Sequence, residues 1–180
     1  SCSDELFNKS IDLMTDEIER CETLGIAFLV HHPGSHVNWS LTEGLDRIGV
    51  AYKELFKRTK GYKTVSCLED TAGGGSTIGG PFDQLAALRE RIVSGTGQPE
   101  RIGFCLDTCH LHAFGYDMST RATAGAALAE FDRLCGFANL RVWHLNDSKG
   151  KLASRLDRHQ HIGEGWIGGG AKAHTGEGTF

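Results

Sequence analysis

Four short apolar runs lie almost evenly along the chain, and each ends in a residue type that binds metal ions. The runs end at His32, Glu69, Asp107 and His144, so the spacings are 37, 38 and 37 residues. A strand, a crossover helix and their loops together take roughly 30 or more residues, so this spacing predicts a repeated strand–helix unit. We therefore expect parallel strands whose carboxyl ends carry these four side chains.

Segments with helical periodicity separate the runs. Apolar residues recur at spacings of three and four over 7–21, 41–55, 82–92 and 127–134. Ser40 with Glu43 predicts a capping box at the start of the second helix, and Pro81 suits the first turn of the third. The alternation of helices and strands predicts parallel strands joined by right-handed crossovers.

Two α/β architectures share that order, the doubly wound open sheet and the (β/α)8 TIM barrel. The barrel gathers strand-end residues from successive strands into one site, whereas an open sheet binds ligands near a switch point. Four consecutive strands ending in ligand-type residues favour the barrel. The 180 residues fall short of the ~250 typical of eight units. We therefore expect a partial TIM barrel with about four central β/α units, from a longer protein.

The domain organisation follows from this count. Residues 1–165 are expected to form the central part of a single barrel domain. Residues 166–180 are rich in Gly and hold few apolar side chains, so we expect a flexible tail there.

Composition excludes some classes and leaves others open. The net charge of −4 does not indicate nucleic-acid binding, although a local basic rim can still contact phosphates. No apolar run approaches the roughly 18 residues of a membrane span. The six Cys form no CxxC pair, so we expect reduced thiols and an intracellular protein, cytoplasmic in a bacterium and nuclear or mitochondrial in a eukaryote.

Two short pairs add further candidate metal ligands. Asp107 is followed three residues later by His110, and Asp157 two residues later by His159. Either pair alone also fits a structural role, since Asp often caps a helix and His often packs. Together with the strand ends they make a set of nitrogen and oxygen donors without thiolate, which suits Zn²⁺, with Mn²⁺ or Fe²⁺ as alternatives.

Glu69 is the carboxylate expected at the centre of such a site. One carboxylate can bridge two metal ions roughly 3.5–4 Å apart, an arrangement used for in-line attack at phosphorus. The alternative is a Glu paired with a Lys or Arg of the barrel. The Gly-rich segment 71–79 that follows is either a loop whose N–H groups approach phosphate or simply a turn.

Five sequence blocks resemble, in order and spacing, the motifs of the endonuclease IV family. They are His32-Pro-Gly-Ser-His36, Leu68-Glu-Asp-Thr-Ala-Gly73, Cys105-Leu-Asp-Thr-Cys-His110 with Gly115-Tyr-Asp117, His144-Leu-Asn-Asp-Ser-Lys149, and Ser154-Arg-Leu-Asp-Arg-His159 with Gly163-Glu-Gly165. The resemblance runs from about residue 5 to 168. It implies a (β/α)8 barrel, a site of three zinc ions, and hydrolysis of double-stranded DNA at apurinic/apyrimidinic sites.

The resemblance also assigns the ligands of the first two zinc ions. It implies that His32 binds the first ion and that Glu69 bridges the first and the second. Asp107 and His144 are then ligands of the second ion.

The third zinc ion would be held by His110, Asp157 and His159. The mechanism implied by the resemblance is attack by a metal-bound hydroxide on the phosphate 5′ to an abasic deoxyribose. The products would be a 3′-hydroxyl and a 5′-deoxyribose phosphate, with Glu69 as the catalytic carboxylate.

The chain departs from the family pattern at several points. The resemblance places three strands and a His ligand of the first zinc before Ser1, and a strand with a Glu ligand of the second zinc after Gly165. Asp70 stands where the family usually has Asn, and Gly74 where Gln is common. Only the His110 set of three ligands is complete in this sequence.

The remaining polar residues around the motifs have weaker assignments. His36 and His112 are expected near the site as partners of ligands, and His31 is expected to point away and pack. Two more, His161 and His174, are expected to be solvated. For three basic residues, both phosphate contact and plain solvation stay open: Lys149, Arg155 and Arg158.

Two other functions remain open beside the DNA-repair interpretation. Sugar isomerases and epimerases use similar barrels with His and carboxylate metal sites, although the Asp157-x-His159 pair argues against them. A fragment that binds zinc or damaged DNA without turnover is the second alternative. We expect a monomer with no membrane association and no obligate protein partner.

Overall fold

A computed structural model describes residues 3–169 of the chain. Two 3-10 turns, Pro99–Arg101 and Phe137–Asn139, lie between the main helices and strands. In chain order the elements are α1 Asp4–Leu24, β1 Phe28–His31, α2 Leu41–Arg58, β2 Val65–Glu69, α3 Phe82–Thr96, β3 Ile102–Asp107, α4 Thr108–Phe114, α5 Arg121–Cys135, β4 Leu140–His144, β5 Asp147–Ser148 and β6 His159–Gln160.

The main sheet has four parallel strands in the order β1-β2-β3-β4. In its register Glu69 aligns with Cys105 and Asp107 with His144. The sheet curls until Cα atoms of its two edge strands, β1 and β4, come within 8 Å of each other. The prediction of a partial TIM barrel, with consecutive parallel strands and helical crossovers, is confirmed.

The hydrophobic core lies between this sheet and the helices. Leu68 of β2 and Phe104 of β3 are fully buried. The ring of Phe131 on α5 packs edge-on against Phe104 and Phe82, with centroids 5.7 and 5.3 Å apart. Because these residues face the helices, the alternate strand positions face the concave side of the sheet, where the ligand-type side chains lie.

Two of the predicted helix starts can be checked in detail. The capping box is confirmed: the Glu43 N–H donates to Ser40 Oγ at 3.3 Å, and the Ser40 N–H donates to Glu43 Oε2 at 2.9 Å. Pro81 was expected in the first turn of its helix but is the N-cap residue, and the helix begins at Phe82. The reason is its extended backbone, with φ −80° and ψ 147°.

A short helix that the periodicity did not predict follows β3 directly. α4 has seven residues and begins as β3 ends, with Asp107 as its N-cap. Seven residues are too few to show a helical repeat. The helix turns His110 back over the end of the sheet.

The segment after β4 is a small antiparallel hairpin, β5–β6, followed by a packed turn. Trp166 N–H donates to Ser148 O at 2.8 Å, and Ile167 is 3% exposed. The segment expected to be flexible from residue 166 onward is therefore packed at its start. Residues 170–180, with His174, lie outside the described residues.

The described residues were also compared with the requirements of a membrane-spanning helix and of a disulfide bond. Between residues 3 and 169, no helix is long and apolar enough to cross a membrane. The five Cys in that range are all buried and free.

Candidate metal centre

The carboxyl ends of the four parallel strands bring the four strand-end residues to one edge of the sheet. Glu69, Asp107 and His144 are the last residues of β2, β3 and β4, and His32 is the first residue after β1. Because the edge strands curl toward each other, side chains from β1 and β4 reach the same carboxylate between them.

That carboxylate is Glu69, which is 7% exposed. Its Oε1 lies 2.7 Å from His144 Nδ1 and 3.7 Å from His110 Nδ1, and its Oε2 lies 3.4 Å from His32 Nε2. Every ion pair of Glu69 within residues 3–169 has a His partner, so the alternative of a structural Lys or Arg pair is not what the structure shows. Three imidazoles from three elements converge on one buried carboxylate.

Asp107 serves the helix and the site at once. Its Oδ1 accepts the His110 N–H at 3.0 Å, which caps α4. Its Oδ2 lies 3.7 Å from His144 Nδ1 and 3.8 Å from His159 Nε2, and accepts a hydrogen bond of 2.7 Å from Asn146 Nδ2. The capping interpretation and the ligand interpretation of this residue are therefore compatible.

Asp157 lies between two imidazoles. Its Oδ1 is 3.3 Å from His110 Nε2 and 3.3 Å from His159 Nε2. His110 is 2% exposed, and its Nδ1 donates to the backbone oxygen of Asp70 at 2.9 Å. Because a carbonyl oxygen only accepts, that bond fixes the tautomer and leaves Nε2 free to face a cation, which is the usual arrangement of a metal-binding His.

Two Cys lie among these side chains, although the sequence did not suggest them as ligands. Four sets have donor atoms that all lie within 4.8 Å of one another: His32, Glu69 and His110; Glu69, Cys105 and His144; Asp107, Cys109 and His159; and His110, Asp157 and His159. The sequence did contain an indication that these two Cys lie near the site, since Cys105 and Cys109 flank Asp107 at a distance of two residues. Burial raises the pKa of both thiols, which favours the imidazole and carboxylate groups as donors.

Asp70 follows Glu69 directly in the chain and is fully buried. Its Oδ1 accepts the Asp107 N–H at 2.6 Å, while its Oδ2 has no hydrogen-bond partner among residues 3–169. Burial, reinforced by the negative charges of Asp107 and Glu69, raises the pKa of Asp70 well above its ordinary value. A neutral Asp has the shape of Asn, the residue that the endonuclease IV resemblance leads us to expect here.

The remaining His residues take different positions. His31 faces away from the cluster, with Nε2 at 2.9 Å from Tyr52 Oη and 2.8 Å from Ser66 Oγ, and burial lowers its pKa. The ring Nδ1 of His36 lies 2.7 Å from the Trp39 carbonyl oxygen. It donates to that oxygen, which places His36 in its own loop.

His112 and His161 differ strongly in exposure. His112 is 2% exposed on α4, and its Nδ1 lies 3.8 Å from Asp117 Oδ1. The carbonyl oxygen of His112 accepts the Ala153 N–H at 3.0 Å, so this residue holds the loop that leads to Asp157. His161 is exposed, as the sequence led us to expect.

The three basic candidates for phosphate contact are all exposed. The Arg155 guanidinium lies over the Phe114 ring, 3.9 Å from its centroid. Arg158 Nη1 donates to the Asp157 carbonyl oxygen at 2.7 Å, and the Lys149 N–H donates to the Arg158 carbonyl oxygen at 2.8 Å. All three residues lie in the loop 149–158 between β5 and β6, the rim that carries Asp157.

The Gly-rich segment after β2 packs against the same rim. A Cβ atom built on Gly73 would lie 2.5 Å from the Phe114 ring and 2.7 Å from Arg155 Nη1, and one on Gly80 would also lie 2.5 Å from that ring. Real Cβ atoms do not approach so closely. At least these two glycines are therefore required by packing.

A family model described as "Xylose isomerase-like TIM barrel" matches residues 2–171.

The chain belongs to this family of xylose isomerase-like TIM barrels. A relative from Cenarchaeum symbiosum (strain A), named "Probable endonuclease 4", is 46% identical over 168 residues, which are 93% of this chain and 58% of the relative. Endonuclease IV from Thermus thermophilus matches with a TM-score of 0.76 and 36% identity, over 93% of this chain and 56% of that structure. The resemblance to endonuclease IV is confirmed, and the chain spans little more than half the length of these relatives.

A D-tagatose 3-epimerase-like protein shares the fold, with a TM-score of 0.70 and 21% identity over 93% of this chain and 57% of that structure. At this identity the likeness shows the fold alone. The barrel by itself therefore does not separate a DNA substrate from a sugar substrate, and the site has to do so.

Proposed function

We propose that this chain is the central part of a zinc-dependent DNA-repair endonuclease, which hydrolyses the phosphodiester 5′ to apurinic/apyrimidinic sites in double-stranded DNA. The observation that carries the proposal is the convergence of four imidazoles on three carboxylates: His32, His110, His144 and His159 around Glu69, Asp107 and Asp157. The names of the relatives support the same activity.

The donor set fits metal ions better than it fits a structural ion-pair network. Two of the carboxylates are buried, and their ion pairs in the described part of the chain are all with His. Buried carboxylates need a cation nearby, because an unpaired buried charge is strongly unfavourable. Imidazole and carboxylate donors are those that Zn²⁺ prefers in catalytic sites, and Mn²⁺ is the alternative.

Each ligand has a role in this proposal. His32 and Glu69 belong to the first zinc, and Glu69 is shared with the second. Asp107 and His144 complete the part of the second set that this chain contains.

The third set consists of His110, Asp157 and His159, which form one of the compact groups in the structure. Bound zinc would supply Lewis-acid stabilisation of phosphoryl oxygens and an acidified water as nucleophile. The protein's own contribution is positional. The Asp70 carbonyl oxygen orients His110, and Asn146 orients Asp107.

The substrate contacts proposed for this chain lie on the exposed rim. We infer that Lys149, Arg155 and Arg158 contact the phosphates that flank the scissile bond, since all three are exposed and lie in the loop that carries Asp157. A neutral sugar gives these three cations no partner, which favours DNA over the isomerase or epimerase alternative. The five free buried Cys support a reducing, intracellular setting, and the proposal requires neither a membrane nor a protein partner.

A second function is favoured by one specific observation. The chain spans 58% of the Cenarchaeum relative, and the resemblance places one ligand of the first zinc and one of the second outside it. By itself, the 180-residue chain would then bind zinc at the His110, Asp157 and His159 set, and bind damaged DNA, without turnover.

One experiment separates the two functions. Duplex DNA with a single abasic analogue is incubated with the chain, and with a chimaera completed by the flanking segments of the Cenarchaeum relative, each with and without Zn²⁺. We expect the completed form to nick 5′ to the lesion in the presence of zinc. Nicking by the completed form alone supports the non-catalytic fragment, and nicking by neither form would overturn the endonuclease assignment.

A further inference from the structure

The buried carboxylate with the largest number of hydrogen bonds in the described structure belongs to Asp147, which is not one of the candidate metal ligands. Asp147 is 1% exposed. Its Oδ1 accepts the N–H groups of Ser148 and Ile167 at 2.7 and 2.8 Å. Its Oδ2 accepts those of Gly163, Gly165 and Gly168 at 3.1, 3.0 and 2.9 Å.

Four of these five backbone donors belong to the turn 163–168, so the Asp147 carboxylate ties that turn to the hairpin. The turn leaves no room for side chains on this side. A Cβ on Gly165 would collide with Asp147 Oδ1 and the Ser148 carbonyl oxygen, and one on Gly168 would lie 2.6 Å from Asp147 Oδ2. Gly165 and Gly168 are therefore required by close packing on Asp147.

The same carboxylate lies at the base of the hairpin that carries the third set of donors. In the β5–β6 ladder Asp147 pairs with Gln160, and Ser148 pairs with His159. The turn 163–168 immediately follows this hairpin and is tied back to it through Trp166 and Ser148. A change in the turn is therefore transmitted to the strand position of His159.

The residue before Asp147 faces the other way. Asn146 Nδ2 donates to Asp107 Oδ2, and Asn146 Oδ1 accepts the Cys109 N–H at 2.9 Å. The dipeptide 146–147 thus joins the start of α4, which carries His110, to the hairpin, which carries His159. The two imidazoles that flank Asp157 are held in place from this one point.

From this geometry we propose that Asp147 is the positioning residue of the third metal site, fixing His159 and Asp157 against His110 by organising the turn 163–168. The inference rests on the proposed function for the presence of a metal there, and it adds a residue that does not touch the metal. Partners that orient metal ligands typically contribute about 10- to 100-fold in metal affinity.

The test is the substitution Asp147→Asn, which keeps the shape of the side chain. Whichever way the amide is oriented, its NH2 group faces at least two of the five N–H donors. We expect the zinc dissociation constant of the 180-residue chain, measured by competition with a chromophoric chelator, to rise about tenfold or more. Hydrogen exchange at the amides of Gly163, Gly165 and Gly168 should accelerate together.

The matched control is Asp132→Asn. Asp132 Oδ1 also accepts a backbone N–H, that of Phe137 at 2.8 Å, but it lies at the end of α5 that leads into the amino end of β4, away from the ligands. We expect this variant to keep the wild-type zinc affinity, whatever it does to the thermal midpoint. The loss of a carboxylate that accepts a backbone N–H would by itself occur in both variants, whereas a positioning role acts through Asp147 alone.

A second variant decides the matter if Asp147→Asn does not fold. Gly168→Ala keeps the carboxylate and disturbs the turn from the other side, and it should weaken zinc binding in the same way. Unchanged zinc affinity in the folded variants overturns the positioning role and leaves the endonuclease proposal intact. A wild-type chain that takes up no zinc overturns the metal site itself, and the positioning role with it.

Discussion

Single Ala substitutions in the Gly-rich segment after β2 can distinguish two reasons for its glycines, close packing and phosphate binding. Gly73 has φ +72°, and an added Cβ would lie 2.5 and 2.8 Å from two atoms of the Phe114 ring. That ring cannot move aside easily, because Arg155 covers it and Gly80 touches it from the same side as Gly73. Gly73→Ala therefore combines a left-handed backbone with overpacking.

The expected magnitude follows from these two contributions. A non-glycine residue in the left-handed region is disfavoured by roughly 1–2 kcal/mol, and overpacking of a filled site typically costs about 1–3 kcal/mol. We therefore expect Gly73→Ala to lower the free energy of unfolding by about 2–5 kcal/mol. A large fraction of the stability of an ordinary domain would be lost.

Two neighbouring glycines are matched controls. Gly75 has φ +59°, but no atom of the described part of the chain lies within 4 Å of an added Cβ, so Gly75→Ala should cost only the backbone contribution of roughly 1–2 kcal/mol. Gly74 has neither a positive φ nor a contact shorter than 3.8 Å. Gly74→Ala should therefore be neutral, or stabilising by about 0.4–1 kcal/mol, because it restricts the unfolded chain.

The assay is urea unfolding followed by circular dichroism, with the slope checked for two-state behaviour. Equal losses in the variants of Gly73 and Gly75 would refute the argument that Phe114 blocks a side chain. The phosphate alternative has its own signature. If Gly74→Ala or Gly75→Ala weakens DNA binding beyond its effect on stability, the loop contacts phosphate as well.

Three further expectations can be measured on single variants. His159→Ala should remove the zinc retained by the chain, as counted by atomic absorption, whereas His161→Ala, at an exposed position, should keep it; unchanged content in both would contradict the ligand assignment. Ser40→Ala should lower the free energy of unfolding by about 1 kcal/mol through loss of the capping box, and no measurable change in urea unfolding would speak against it. The pKa of the Glu22 carboxyl is lowered, first by the backbone N–H of Thr64. The stability that this carboxylate contributes is therefore present above its ordinary pKa of 4.5 and is lost as the pH falls through the lower pKa of the folded state. Glu22→Gln should reduce the loss of folding stability at acidic pH, and an unchanged loss would exclude the effect.

Regular, repeated features were accessible from the sequence. The strand ends at Glu69, Asp107 and His144 were predicted at the residues where the structure has them, because a buried parallel strand is a short apolar run and its end is marked by a polar residue. The longer helices were predicted from apolar residues at spacings of three and four. α4 was not, since seven residues capped by a strand-end Asp show no period.

The Gly-rich end of the chain shows that one composition fits two kinds of local structure. Residues 163–168 offer few apolar side chains, a composition typical of flexible segments. In the structure four backbone N–H groups of this segment reach the Asp147 carboxylate, and the absence of side chains at Gly165 and Gly168 permits the close approach of those two residues. A preference for Gly fits both a mobile linker and a close backbone approach, and only the three-dimensional neighbours distinguish them.

The sequence by itself determined the α/β order, the parallel strands and the identity of the side chains at their ends, since these depend on local patterns and spacing. Only the tertiary structure decided which of those side chains meet. The curl of the sheet brings His32 and His144 from its two edges onto Glu69, and α4 turns His110 toward Asp157. Such pairings depend on the angles between elements that are distant in sequence, and no local pattern encodes those angles.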